Sequence, residues 1–291
     1  MKTLLLIDAN SLIHRAYHAL PPLTTPEGKP IGAVYGLASM LLKIAREERP
    51  DYTAAAFDTP EATFRDELFE DYKAQRPKVD EELVGQLAEA RNLFREFNIP
   101  SFEKPGYEAD DIIATLAKKF DGGGNLKVII LTGDLDTLQL VSGSEVVVKT
   151  PKKGVSETMI YDEEAVKERY GVGPGKLNDY KGLTGDPSDN VPGVPGVGPK
   201  TASKLIQEFG SLEKLYENLG KTEGKLKEKL LENRGKALLS RKLVELRKDI
   251  PLEANLESLV FDSPGNEKLT KYFDKLGFQS LAKRIASGGK R

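Results

Sequence analysis

The sequence predicts an α/β protein: a mostly parallel sheet interleaved with helices, followed by a helical region. Three observations carry this. Three short apolar runs each end in an acid: KTLLLID (Lys2 to Asp8), DYTAAAFD (Asp51 to Asp58) and KVIILTGD (Lys127 to Asp134). Continuous runs of this length suit strands buried on both faces. Helical patterns separate them, over roughly 32–47, 82–97 and 109–120, and such alternation implies parallel pairing. From about 163 onward the patterns are helical only.

Each element has its own signal. A fourth apolar stretch, Glu145 to Lys149, extends the sheet, and Lys152-Lys153-Gly154 reads as a turn into a further strand over about 155–160. Ala109, Ile112, Ile113, Leu116, Ala117 and Phe120 recur at helical spacing. We divide the chain at 162/163, into an α/β core over 1–162 and a helical region over 163–291. The last five residues, SGGKR, read as a tail.

Composition narrows the function. The chain has 291 residues, enough for one large or two modest domains. It contains no Cys, which excludes a disulfide framework, a thiolate metal site and a Cys nucleophile, and suits a reducing cytosol. MKTLLLIDANS meets Asp8 too early for a signal-peptide core, and no apolar run nears the roughly 18 residues of a membrane span. A cytoplasmic, monomeric chain is expected. The net charge of −2 argues mildly against a nucleic-acid binder. That changes if many acids are gathered on cations, because the remainder is then positive.

The acids are gathered. In open parallel sheets, ligands collect beyond the carboxyl ends of the strands. Asp8, Asp58 and Asp134 lie at or just past such ends, and Asp136 follows in TGDLD. GYEADD places Glu108, Asp110 and Asp111 at a helix start. One acidic helix start has an ordinary explanation in capping and the helix dipole. One helix start together with three acid-ended strands does not. Asp186 and Asp189 in GDPSDN are ordinary turn residues taken alone, but bring the set to nine. Carboxylates this close resist ionising together without cations. All-oxygen ligands favour Mg²⁺ or Mn²⁺ over zinc. More acids than one ion needs suggest two ions, the arrangement that supports phosphodiester hydrolysis.

The stretch over residues 59–82 has few apolar residues and is expected to project from the core. Its plain reading is a solvated helix with local pairs, Arg65 with Glu61 or Lys73 with Glu70. Lys73 and Arg76, three apart, would share one side of a helix and could meet phosphates. His14 and His18 show no metal-ligand spacing and read as structural. GVPGVGPKT, residues 193–201, is not a phosphate-binding P-loop, since Pro199 stands where the Lys belongs. LGKT at 219–222 fails too, with Leu at 215. The stretch over about 185–210 reads instead as a helix-hairpin-helix. Gly193, Gly196 and Gly198 permit a tight turn and close backbone approach, and a helix opening near Lys200 and Thr201 suits a backbone phosphate. Such contacts position a duplex without reading its sequence.

LLLIDANSLIHRAYHAL, AAAFD, TFRDELFEDYKAQRP, GYEADDIIATLA, TGDLDTLQL and GLTGDPSDNVPGVPGVGPKTA occur in the order seen in bacterial 5′ nucleases. That family includes the N-terminal nuclease domain of DNA polymerase I and, more distantly, resembles the flap endonucleases. The resemblance runs from residue 1 to about 285. It implies a PIN/5′-nuclease-like parallel-sheet core with a helical arch, here about 59–97, and a C-terminal helical region holding the hairpin. It implies that Asp8, Asp58, Glu108, Asp110 and Asp111 serve one metal site, and Asp134, Asp136, Asp186 and Asp189 the second. Arg65, Lys73 and Arg76 match positions that contact the scissile phosphate region, Tyr72 is placed to stack on a base, and Arg15 matches a basic position after the first strand. In relatives the hairpin often holds a monovalent cation such as K⁺. One departure is Leu135, where a Lys is common between the two acids. The implied activity is two-metal 5′-3′ exonuclease and flap endonuclease cleavage of DNA with a free 5′ end, in replication and repair, beside or fused to a DNA polymerase. The alternatives are a PIN-like ribonuclease and a non-catalytic DNA-structure binder.

Overall fold

The computed structural model describes residues 1–120, 125–153 and 157–286. Six strands form one sheet in the order β3-β2-β1-β4-β5-β6. They are β1 (Lys2–Asp8), β2 (Tyr52–Ala56), β3 (Ser101–Phe102), β4 (Leu126–Leu131), β5 (Val146–Lys153) and β6 (Glu157–Tyr161). The first five run parallel and β6 pairs antiparallel with β5. The three acid-ended runs are therefore neighbours, with β1 between β2 and β4. Asp8 stands level with Ala56, two residues before Asp58. Ile7 stands level with Leu131, three residues before Asp134.

The apolar runs are continuous because the sheet is covered on both sides. Leu4 and Leu6 pack into one core, Leu5 and Ile7 into the other, and all four are at most 1% exposed. Side chains alternate across a strand, so one run feeds two cores. Helix α1 (Ala9–Ala19) follows β1 without a break, and α2 (Gly32–Glu48) leads to β2. Next come α3 (Phe64–Leu68), α4 (Glu81–Glu96) and α5 (Ala109–Lys119). The helical region contributes α6 (Glu163–Tyr170), α7 (Leu177–Thr184), α8 (Pro199–Phe209), α9 (Leu212–Glu217), α10 (Gly224–Glu232) and α11 (Arg234–Val244). It ends with α12 (Asn266–Leu276) and α13 (Gln279–Ala286). One face of the sheet carries α5 and buried residues of α6 to α11; the other carries α1, α2, α4, α12 and α13.

Several expectations change here. Helix α1 has no counterpart in the helical patterns assigned from sequence, and β3 is only two residues long. The helical region is not one layer. After α11 the chain passes the amino end of β2, where Phe261 N donates to Asp51 O at 2.8 Å, and α12 and α13 pack on the far face. There Phe273 lies 6.3 Å from Phe97 and Phe278 5.1 Å from Tyr35, ring centre to ring centre. The span expected as a projecting arch also lies down. Helix α4 buries Leu83, Ala90, Leu93 and Phe94 in the core, and residues 64–76 rest across the sheet's carboxyl edge through buried Arg65 and Tyr72. The expected turn at Gly154 and the SGGKR tail lie outside the described residues.

Candidate active site

Asp8 ends β1 and caps α1 in the same stroke: its Oδ1 accepts from Ser11 N at 2.9 Å. Its Oδ2 accepts from Thr132 Oγ1 at 2.7 Å, which ties β1 to the end of β4. Asp58, just past β2, accepts from Ala109 N at 2.7 Å and so holds the first residue of α5. Asp134 Oδ1 accepts from Asp136 N at 2.9 Å, folding the TGDLD turn. These contacts bring Asp8, Asp58, Glu108, Asp110 and Asp134 onto one cavity of about 650 Å³. His14, His18, Lys73 and Arg76 line the same cavity.

Asp110 is the least satisfied member. Its Oδ1 is buried with no hydrogen-bond partner. Burial, then the charges of Asp134 and Asp8, holds its carboxyl well above the usual range. Burial and the Asp58 charge push Asp8 up to about 7. An acid held near neutrality beside an orphaned carboxylate oxygen is a charge deficit that a hard cation would relieve.

Glu108, Asp136, Asp186 and Asp189 already have counter-charges. Lys181 Nζ, on α7, sits between Asp136 and Asp186; it donates to Asp136 and lies 2.8 Å from Asp186. Burial pushes Asp136 up to about 6 even though Lys181 opposes it. Lys73 Nζ lies 2.5 Å from Glu108 and 3.7 Å from Asp189, and Arg76 donates to Asp189. Lys73 adopts a left-handed backbone, φ 56°, and its N–H donates to Asp189 O at 3.0 Å. That conformation is uncommon for a non-glycine residue and clusters at functional sites. Among the described residues, no three His, Asp or Glu groups are arranged to share one ion.

Several expected roles do not fit the geometry. Arg65 is 1% exposed and forms a two-pronged pair with Asp111 at 2.6 and 2.8 Å, so it does not reach out to a phosphate or pair with Glu61. Asp111 is fully buried with both oxygens engaged, which removes it from the cavity acids. Tyr72 is 6% exposed and its hydroxyl donates to Asp189 at 3.2 Å, so its ring is not open for a base to stack on. Lys73 and Arg76 lie in turns, not along a helix, and Lys73 pairs with Glu108, not Glu70. Arg15 reaches Lys152 O at 3.1 Å and is not part of the cavity lining. The two histidines, read as structural, line the cavity. Asn10, Ser11, His14 and His18 sit there on α1 at helical spacing, a signal open to anyone who starts a helix at Asp8.

The hairpin joins α7 to α8. Gly193 has φ +61°, and a Cβ there would sit 2.3 Å from Gly185 N. Glycine is required, but its N–H donates to Ser240 Oγ at 2.8 Å and is not offered to a ligand. Gly196, Gly198 and Lys200 are exposed at the start of α8, with Thr201 half-buried behind them. Lys229 of α10 extends its amine over Gly196.

The family description "5′-3′ exonuclease, N-terminal resolvase-like domain" matches residues 3–171, and "5′-3′ exonuclease, C-terminal SAM fold" matches residues 172–267. DNA polymerase I of Bacillus caldotenax is 44% identical over 287 residues, covering 98% of this chain and 32% of the relative. DNA polymerase I of Bacillus subtilis is 42% identical over 285 residues, with 98% and 32% coverage. The chain thus spans about a third of the length of these relatives. The solved 5′-exonuclease of T5 with bound zinc is 22% identical, with a TM-score of 0.71 over 99% of this chain and 100% of that one. The catalytic core of Rad2 in complex with DNA is 18% identical, with a TM-score of 0.62 over 98% and 91%. These two likenesses speak to the fold.

Proposed function

The chain belongs to the 5′-3′ exonuclease family, and from that premise we propose that it hydrolyses phosphodiesters of DNA bearing a free 5′ end or 5′ flap, cutting near the single-strand junction. The observation that carries this reading is the cavity formed where three parallel strands and α5 present acids together, with the buried Asp110 Oδ1 unpartnered. That donor set fits divalent cations, Mg²⁺ or Mn²⁺. Asp8, Asp58, Glu108, Asp110 and Asp134 would hold one, and Asp136, Asp186 and Asp189 would serve a second. Such ions, when bound, supply an activated water and neutralise charge building on the phosphate.

The remaining work falls to the protein. Lys73 and Arg76, which line the cavity, are the groups that exchange carboxylate partners for a substrate phosphate. Gly196, Gly198, Lys200 and Thr201 at the opening of α8 hold the duplex backbone. A K⁺ ion at the hairpin would share that role. The products carry 5′-phosphate and 3′-hydroxyl ends. We place the chain in the cytoplasm at the nucleoid, working as a monomer beside or within a DNA polymerase.

The test is cleavage of a labelled 5′-flap duplex in Mg²⁺ and in EDTA. Junction cutting that requires Mg²⁺ is the expected result. Salt-sensitive binding without cutting would make it a structure binder, and a preference for single-stranded RNA would make it a ribonuclease.

A further inference from the structure

Asp111 belongs to the acidic helix start by sequence yet is turned away from its neighbours. Arg65 Nη1 and Nη2 donate to its two oxygens at 2.6 and 2.8 Å. Each oxygen also accepts a backbone N–H: Oδ2 from Glu108 at 3.1 Å, Oδ1 from Arg247 at 2.8 Å. Arg65 is saturated as well. Its Nε donates to Leu243 O at 2.7 Å, its Nη2 also to Glu245 O at 3.2 Å, and its Nη1 lies 3.5 Å from Glu108. The strap over 243–247 is anchored in turn to the short helical turn Asp136–Leu140. Gln139 Nε2 donates to Val244 O at 2.9 Å, and Leu246 N donates to Gln139 Oε1 at 3.1 Å. One buried network therefore runs from α3, through the first turn of α5, to the turn that carries Asp136.

We propose that Asp111 ligates no divalent ion and Arg65 contacts no phosphate: together they are a positioning brace that fixes Glu108 and Asp110 at the cation edge. Acids that repel one another will swing apart unless their backbone is held. A bidentate guanidinium–carboxylate pair holds both distance and plane, which a point charge does not. The brace binds the N-cap Glu108 through its N–H and its carboxylate, so the turn bearing Asp110 cannot rotate without breaking it. This rests on the nuclease reading above.

The experiment measures Mg²⁺ binding by calorimetry, beside flap cleavage, for the whole chain and four variants. Asp110→Asn should weaken Mg²⁺ binding at least tenfold. Asp111→Asn, which strands the Arg65 charge, should weaken it about tenfold and lower the melting temperature. Arg65→Met combined with Asp111→Asn removes both charges, so the melting temperature should recover, but the fork is lost and Mg²⁺ affinity should stay about tenfold down, matching Arg65→Lys. A folded double variant that binds Mg²⁺ as the unsubstituted protein does would overturn the brace, and one that binds far more weakly than Arg65→Lys would make Asp111 a direct ligand and overturn the proposal. Should the double variant fail to fold, Arg65→Lys decides. It keeps the charge but not the fork, so Mg²⁺ affinity should fall about tenfold while binding to a nicked duplex holds; unchanged Mg²⁺ affinity would overturn the brace. An unsubstituted protein that neither binds Mg²⁺ nor cuts would sink the nuclease reading itself, an outcome visible before any variant is compared.

Discussion

The two halves of the acid set solve the same electrostatic problem in opposite ways. Around Asp8 and Asp110 the charge is left uncompensated: one carboxyl is held near neutrality and the other has a buried oxygen without a partner. Around Asp136, Asp186 and Asp189 the protein supplies its own cations, Lys181, Lys73 and Arg76. Asp8 and Asp110 have no counter-charge that must leave before an ion draws them together. The second half must give up an ammonium or guanidinium before an ion, or a substrate phosphate, can take its place. On the reading proposed above, ions would enter in two stages, with the Asp110 side filling first.

The sharpest break would come from Asp110→Asn. It should cut flap cleavage by roughly a thousandfold, the scale seen when one transition-state contact is lost. It should leave the melting temperature unchanged or raised, since a buried unpartnered charge is gone. A large fall in melting temperature would mean that Asp110 is structurally satisfied after all. Next in size is Lys181→Met. Lys181 is 12% exposed between two carboxylates, so losing it strands buried charge and should cost about 3–5 kcal/mol in Mg²⁺-free buffer by chemical denaturation. Mg²⁺ should recover much of that loss, and absence of recovery would count against an ion replacing the amine.

A smaller effect is read against pH. Burial raises Asp8 to about 7 and Asp136 to about 6, both above the unfolded carboxylate value. Between that value and the raised ones the folded chain binds more protons than the unfolded chain, so stability falls as pH rises. Without divalent ions the melting temperature should therefore drop between about pH 5 and 8, levelling beyond the Asp8 value. Saturating Mg²⁺ should flatten the curve, because ions favour the ionised form. A metal-free curve that rises over this range would show the cluster relaxed into solvent.

Much of this was legible in the chain. Strands buried on both faces leave unbroken apolar runs, so β1, β2 and β4 and the acids at their ends stand out. Their adjacency, on which convergence depends, is a property of strand order and appears only in the sheet. Helix α1 was hidden because β1 passes into it without a turn residue, Asp8 ending one and capping the other. The 64–76 segment misled for a different reason. Charged residues are rarely buried unless paired, so Arg65 reads as surface. Its partner Asp111 lies 46 residues away, and no local spacing announces the pair. Lys181 escaped for the same reason, 45 residues from Asp136.

The wrap of α12 and α13 around the far side of the sheet has a practical meaning. All nine acids of the set, the hairpin and the brace lie before residue 250, so a version shortened to about 262 would look chemically complete. It would instead lose the cover over Phe97 and Tyr35 and present a greasy, flat-sided face to its neighbours. Such a chain should be recovered as aggregate, and the last two helices are better regarded as part of what keeps the molecule in solution.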